Sequence, residues 1–180
     1  AEFEVVGQWK RPHYFPQKNE NIHDAVNREC RAVRNSLGIL DASTLGKIDL
    51  QGPDVAKFLN LIYTNAWSKL EVGSCRYGLM CNEHGMVFDD GVTTRISENR
   101  YHMTTTTGGA ARVMSWLEEF LQTEWLDMEV FCTSVTEQWA VLSISGPNSR
   151  EFLSSLTDID ISKEAFPFMK MKEGKVCGID

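Results

Sequence analysis

Apolar positions along the chain change their period several times, and each change marks an element. From Asn21 to Leu37 the residues Ile22, Ala25, Val26, Cys30, Val33 and Leu37 recur at helical spacing and stop at Gly38, which predicts one amphipathic helix. Before it, Trp9, Pro12, Tyr14 and Pro16 read as an irregular aromatic entry. From Gly38 to Gln51 the pattern turns strand-like, with Ile39, Leu40, Ile48 and Leu50, and Gly52-Pro53-Asp54 then opens a second helix. Between Gly73 and Thr107 three strands follow one another, joined by turns at Asn82-Glu83-His84-Gly85 and Ser97-Glu98-Asn99. Gly108-Gly109 leads into a helix whose Val113, Trp116, Leu117, Phe120 and Leu121 share one face, and strands are predicted over 128–135 and 139–145.

One pattern occurs twice. Ile48-Asp49-Leu50-Gln51-Gly52-Pro53-Asp54 with Phe58-Leu59 has a counterpart in Leu142-Ser143-Ile144-Ser145-Gly146-Pro147-Asn148 with Phe152-Leu153, at a constant offset of 94 residues. Each copy is a strand, a Gly-Pro turn and a helix. Duplication predicts an α+β body of antiparallel sheets with packed helices, its two halves related by a pseudo-two-fold rotation.

Composition narrows the function classes. A net charge of −7 argues against binding phosphate backbones or anionic lipid. No apolar run approaches the roughly 20 residues that span a bilayer, and no signal peptide is evident. The five cysteines, Cys30, Cys75, Cys81, Cys132 and Cys177, are scattered without a C-x-x-C pair, as expected of reduced thiols in a cytoplasmic protein. The chain starts at Ala1 without a Met and ends as a strand-like stretch at 175–180 begins, so a chain truncated on its C-terminal side is expected.

Candidate chemistry is sparse. Asp89 and Asp90 lie on the second strand of the 77–92 hairpin, and alternation lets only one of them face any given pocket. A strand carboxylate among apolar neighbours serves as a general acid or base; beside a glycine the same pair also reads as solvated turn acids. The run Thr104-Thr105-Thr106-Thr107-Gly108-Gly109 offers hydroxyls and amides to an anion or polar ligand edge, or else is a strand end followed by a helix cap. His13, His23, His84 and His102 form no metal pattern. No nucleophile elbow, P-loop or dinucleotide-binding glycine motif is present, which weighs against serine hydrolases, nucleotide hydrolases and a Rossmann dehydrogenase.

Leu40 to Leu45, Ile48 to Asp54, Gly73 to Asn82 with Tyr77, Asn82 to Val92 with its Asp pair, and Ser145 to Asn148 resemble, in order and spacing, the aminomethyltransferase or T-protein family of the glycine cleavage system. Val6 to Tyr14, Phe88 to Arg95, Met103 to Gly109 and Ala165 to Met169 are most similar to the folate domain of heterotetrameric sarcosine oxidase alpha subunits. The resemblance covers nearly all of residues 1–180 and implies one tetrahydrofolate-binding domain. Its function would be to capture the one-carbon unit from oxidised sarcosine as 5,10-methylenetetrahydrofolate. Other oxidase subunits would be its partners, and FAD, FMN and NAD are implied only for the intact heterotetramer. The resemblance makes Asp90, with Asp89 as the second choice, the proton-handling acid. It makes Leu45, Tyr77, Thr104, Thr105 and Thr106 folate contacts. Gly91 after Asp90 departs from the hydrophobic residue found there in T-proteins. The Gly-Glu motif that grips the pterin ring in the family has no counterpart in this sequence. A non-catalytic folate-binding or regulatory module and a stand-alone aminomethyltransferase are the alternative readings.

Overall fold

A computed structural model describes residues 1–179. The chain forms two compact units, one made of Leu45–Trp139 and Phe168–Lys172, the other of Ala1–Thr44, Ala140–Pro167 and the stretch from Glu173.

The first of these is an all-antiparallel five-stranded sheet under two helices. Its strands are β4 (Gly46–Gln51), β5 (Ser74–Cys81), β6 (Val87–Ser97), β7 (Arg100–Thr105) and β8 (Phe131–Ser134), in the spatial order β5-β6-β7-β4-β8. Residues directly opposite across a ladder share a face. Ile48 pairs with Met103, which pairs with Thr93, and Leu50 pairs with Tyr101, which pairs with Arg95. That face is covered by α2 (Val55–Ile62), through Val55, Phe58, Leu59 and Ile62, and by α3 (Ala110–Thr123), through Val113 and Leu117. Burying a large apolar side chain contributes about 1.5–3 kcal/mol, so this layer holds the unit together. The opposite face carries Lys47, Asp49 and Gln51 of β4 against Thr104, His102 and Arg100 of β7. Trp139 meets the His102 ring edge-on.

In the other unit β1 (Glu2–Val6) and β2 (Trp9–Tyr14) form a hairpin, α1 (Ile22–Asn35) follows, and β3 (Gly38–Asp41) pairs with β9 (Leu142–Ser145) ahead of α4 (Ser149–Ser154). The hairpin replaces the irregular entry read from sequence. Pro12 lacks an N–H and sits beside a register shift between Glu2 and Phe3, which hides the strand in a proline-containing sequence. Helix α1 starts in a capping box: Asn21 accepts from the backbone of His23 and Asp24, and Asp24 accepts from the backbone N–H of Asn21. Among the described residues no helix is long and apolar enough to cross a membrane.

Each unit contains one copy of the repeated pattern, and the copies match in backbone detail. Gly52 and Gly146 have φ of 138° and 117°, a region that favours glycine. The cap residues Asp54 and Asn148 adopt φ, ψ of −93°, 3° and −94°, 5°. The likeness extends past the Phe-Leu pair: after α2, Tyr63 bridges Met80, and after α4, Thr157 bridges Val176. Val176 also bridges Ile179. The predicted strand at 175–180 is therefore a tight turn over its described part, while Asp180 lies outside the described residues.

Candidate functional site

The hairpin of β5 and β6 settles the geometry of the acid pair. Asp89 lies on the helix-covered face and is 3% exposed. Its Oδ1 accepts the N–H of Asp90 at 2.8 Å and of Thr106 at 2.9 Å, and its Oδ2 accepts the Thr106 hydroxyl at 2.7 Å. Thr106 Oγ1 also accepts the N–H of Gly109, the residue capping α3. The anion at the start of α3 is thus the chain's own Asp89.

Asp90 points to the other face and is half-buried. Leu79 is directly opposite it on β5, and Tyr77 is its diagonal neighbour. The Tyr77 hydroxyl donates to Asp90 Oδ2 at 2.8 Å, while Tyr77 as a whole remains 47% exposed. This hydrogen bond, with a smaller contribution from desolvation, pushes the Tyr77 phenol above its ordinary pKa, so it is a donor across the neutral range. Gly91 has a steric reason to be glycine. A Cβ there would stand 1.9 Å from the Thr104 carbonyl oxygen, a clash with the backbone of the next strand.

The other expected ligand contacts are distributed differently. Thr104 shares the Asp90 face, but its hydroxyl accepts the Val92 N–H and donates to the Val92 carbonyl, both at 2.9 Å, closing the β6–β7 ladder. Thr105 is buried, with its hydroxyl on the Thr106 carbonyl. Thr106 is engaged with Asp89 as above. Leu45 is half-buried at the entry to β4, and its carbonyl accepts from Lys47 Nζ at 3.0 Å. The structure therefore brings Asp90, Tyr77 and Thr104 to one face and separates them from Asp89 and Thr105.

Sequence reading missed the charged row on the Asp90 face. Arg100 grips Asp49 through Nε and Nη2, at 3.0 and 2.6 Å to Oδ2. His102 lies opposite Asp49, and burial lowers its pKa despite the opposing pull of Asp49. The alternation Lys47, Asp49, Gln51 around Ile48 and Leu50 was the available signal. An open groove of about 720 Å³ lies elsewhere, along α4, lined by Arg150, Glu151, Asp160 and Lys163 among others. It is also bordered by Pro147 of the second Gly-Pro turn, and none of Asp89, Asp90, Leu45, Tyr77 and Thr104 to Thr106 lines it.

An antiparallel α+β fold with a duplicated strand–Gly-Pro–helix unit and an acid-bearing hairpin defines a known class. The GCVT N-terminal domain model matches residues 1–180, and the chain belongs to that family. Within it, the chain is 58% identical over 174 residues to the sarcosine oxidase subunit alpha of Corynebacterium sp. strain U-96, covering 96% of this chain and 18% of the relative. The sarcosine oxidase subunit alpha of Rhizobium meliloti is 46% identical, with 99% and 18% covered. An aminomethyltransferase from Listeria monocytogenes is 30% identical, with 96% and 44% covered. The chain thus spans about a fifth of the alpha subunits it matches. Among solved structures, aminomethyltransferase T of the Bartonella henselae glycine cleavage system superposes with a TM-score of 0.73 at 24% identity, over 86% of this chain and 39% of that one. A chain of the heterotetrameric sarcosine oxidase from Corynebacterium sp. U-96 superposes at 0.58 and 11% identity, over 87% and 75%. Both likenesses are of fold.

Proposed function

We propose that this chain is the folate-handling part of a sarcosine oxidase alpha-type subunit and captures the one-carbon unit of oxidised sarcosine as 5,10-methylenetetrahydrofolate. The observation that carries the reading is the 58% identity to such a subunit across nearly the whole chain. The Asp90–Tyr77 pair supports it chemically. A half-exposed carboxylate beside an exposed aromatic ring fits a flat heterocycle that bears reactive N–H groups.

Tetrahydrofolate, when bound, supplies two nitrogens that take over the carbon from the oxidised amine, and glycine is released. The N–H protons given up leave with the glycine amine, so the exchange is proton-neutral overall and needs a group that holds a proton between steps. Asp90 is that group in this reading. In this reading Tyr77 and Leu45 are folate contacts, and Thr104, Thr105 and Thr106 support them by fixing the β6–β7 ladder and the start of α3. Asp89 anchors the same turn from the covered face. FAD, FMN and NAD belong in this reading to the rest of the heterotetramer, whose subunits are the chain's partners. Five free cysteines support a cytoplasmic setting.

Intact oxidase given sarcosine labelled in its methyl group tests the proposal. Saturating tetrahydrofolate is expected to divert the label from formaldehyde to the methylene product; formaldehyde release that ignores folate overturns it.

A further inference from the structure

The contact between Tyr77 and Asp90 has a direction, and that direction limits which carboxylate oxygen can do chemistry. The two residues come from neighbouring strands and meet diagonally across the pair Gly78–Gly91. A diagonal approach of about 7–8 Å between backbones is within reach of a long aromatic side chain and few others. On the reverse side, a Cβ at Gly78 would lie 2.6 Å from the Tyr63 ring and 2.8 Å from the Trp67 ring, and one at Gly91 would meet the Thr104 carbonyl. Two bare positions back to back therefore let this part of the hairpin sit close against the core and the next strand. That packing fixes the backbone from which Tyr77 and Asp90 project.

We propose that Tyr77 is a positioning residue that holds Asp90 Oδ2 and so assigns proton exchange to Oδ1. The inference rests on the one-carbon reading above and deepens it. A phenol O–H held on Oδ2 favours negative charge on that atom. A proton placed on Oδ2 weakens the oxygen as an acceptor and sacrifices part of this bond, whereas one placed on Oδ1 leaves the bond in place. The phenol itself keeps its proton through the neutral range, so the carboxylate, and not the phenol, carries the mobile one. Tyr77 thus sets the orientation of the acid, a role different from packing against a ligand.

Kinetics on the intact oxidase separate the two roles. Tyr77→Phe keeps the ring and removes the hydroxyl. Losing one hydrogen bond to a charged acceptor is expected to lower kcat for folate product formation roughly 10- to 100-fold. The KM for tetrahydrofolate is expected to change by less than about threefold. Tyr77→Leu, lacking the ring as well, is expected to raise KM in addition. In an Asp90→Asn background, Tyr77→Phe is expected to have no further effect on kcat, since the group it orients is gone. A Tyr77→Phe enzyme with unchanged kcat, or with only KM raised, overturns the inference. The Asp90→Asn enzyme reports separately on the parent reading, because unchanged product partition there removes Asp90 from the chemistry whatever Tyr77 does.

Discussion

Thr106 reaches Asp89 twice, its amide donating to Oδ1 at 2.9 Å and its hydroxyl to Oδ2 at 2.7 Å. The contact ties the start of β6 to the residues that launch α3, across 17 positions of sequence, inside a covered layer. Replacing Asp89 by Ala leaves both donors of Thr106 and the Asp90 amide without their acceptor. The expected cost is about 2–4 kcal/mol, read as a lower urea midpoint. Asp89→Asn keeps one oxygen and is expected to cost less, about 1–2 kcal/mol. An Ala variant as stable as the parent would show that the carboxylate carries no structural load.

The neighbouring acid is expected to behave in the opposite way. Asp90 is half-buried and accepts a side-chain hydrogen bond from Tyr77, so Asp90→Asn is expected to shift stability by less than about 1 kcal/mol. In the intact oxidase the same change is expected to cut methylenetetrahydrofolate yield by roughly 10²- to 10⁴-fold while peroxide formation persists, with formaldehyde accumulating in place of the folate product. Two enzymes, Asp89→Asn and Asp90→Asn, assayed for peroxide, formaldehyde and folate product, test both halves. Equal loss of folate product in both, at equal stability, would refute the division of labour.

Gly91 is expected to be intolerant of the smallest side chain. The Cβ of Gly91→Ala falls 1.9 Å from the Thr104 carbonyl, and relief requires β6 and β7 to part where the Thr104 hydroxyl closes the ladder on Val92. Overpacking of this kind costs about 1–3 kcal/mol or more. Denaturant unfolding of Gly91→Ala checks it, and a variant within about 0.5 kcal/mol of the parent would show that the strands separate freely.

Much of this was legible in the residues because it depends on local periodicity. The 94-residue repeat, the 82–85 turn and the apolar stripe of α3 are all patterns of near neighbours, and the structure contains each of them. Alternation likewise put Asp89 and Asp90 on opposite faces, but it could not say which face the helices cover. That depends on α3 folding back to the hairpin, a non-local event. The threonine run was ambiguous for the same reason: whether it serves a ligand or a carboxylate is decided by a residue 17 positions earlier. The Asp49–Arg100 grip joins residues 51 apart and left only the charged alternation along β4 as a trace. The Gly91 departure from the family pattern became intelligible only once the Thr104 carbonyl was in place.

His102 gives the Asp90 face a pH dependence whose sign follows from its surroundings. Burial lowers its pKa below the ordinary 6.5; Asp49 opposes this, and Lys47 and Arg100 add to it. In the unfolded chain the imidazole takes up a proton near pH 6.5. In the folded chain it does so only at lower pH. Between those two values the unfolded state binds more protons, so stability rises with pH there, and it is lost as pH falls from about 6.5 through the lowered folded value. His102→Gln removes the titrating group while keeping a polar side chain opposite Asp49. Its stability is expected to fall less between pH 7 and pH 5 than that of the parent, as measured by urea midpoints at half-unit intervals. The ring edge of His102 against Trp139 offers an independent readout, since tryptophan fluorescence reports a nearby imidazolium. A His102 titration midpoint at or above 6.5 by proton NMR, or parallel pH profiles for parent and variant, would show that burial does not govern this side chain.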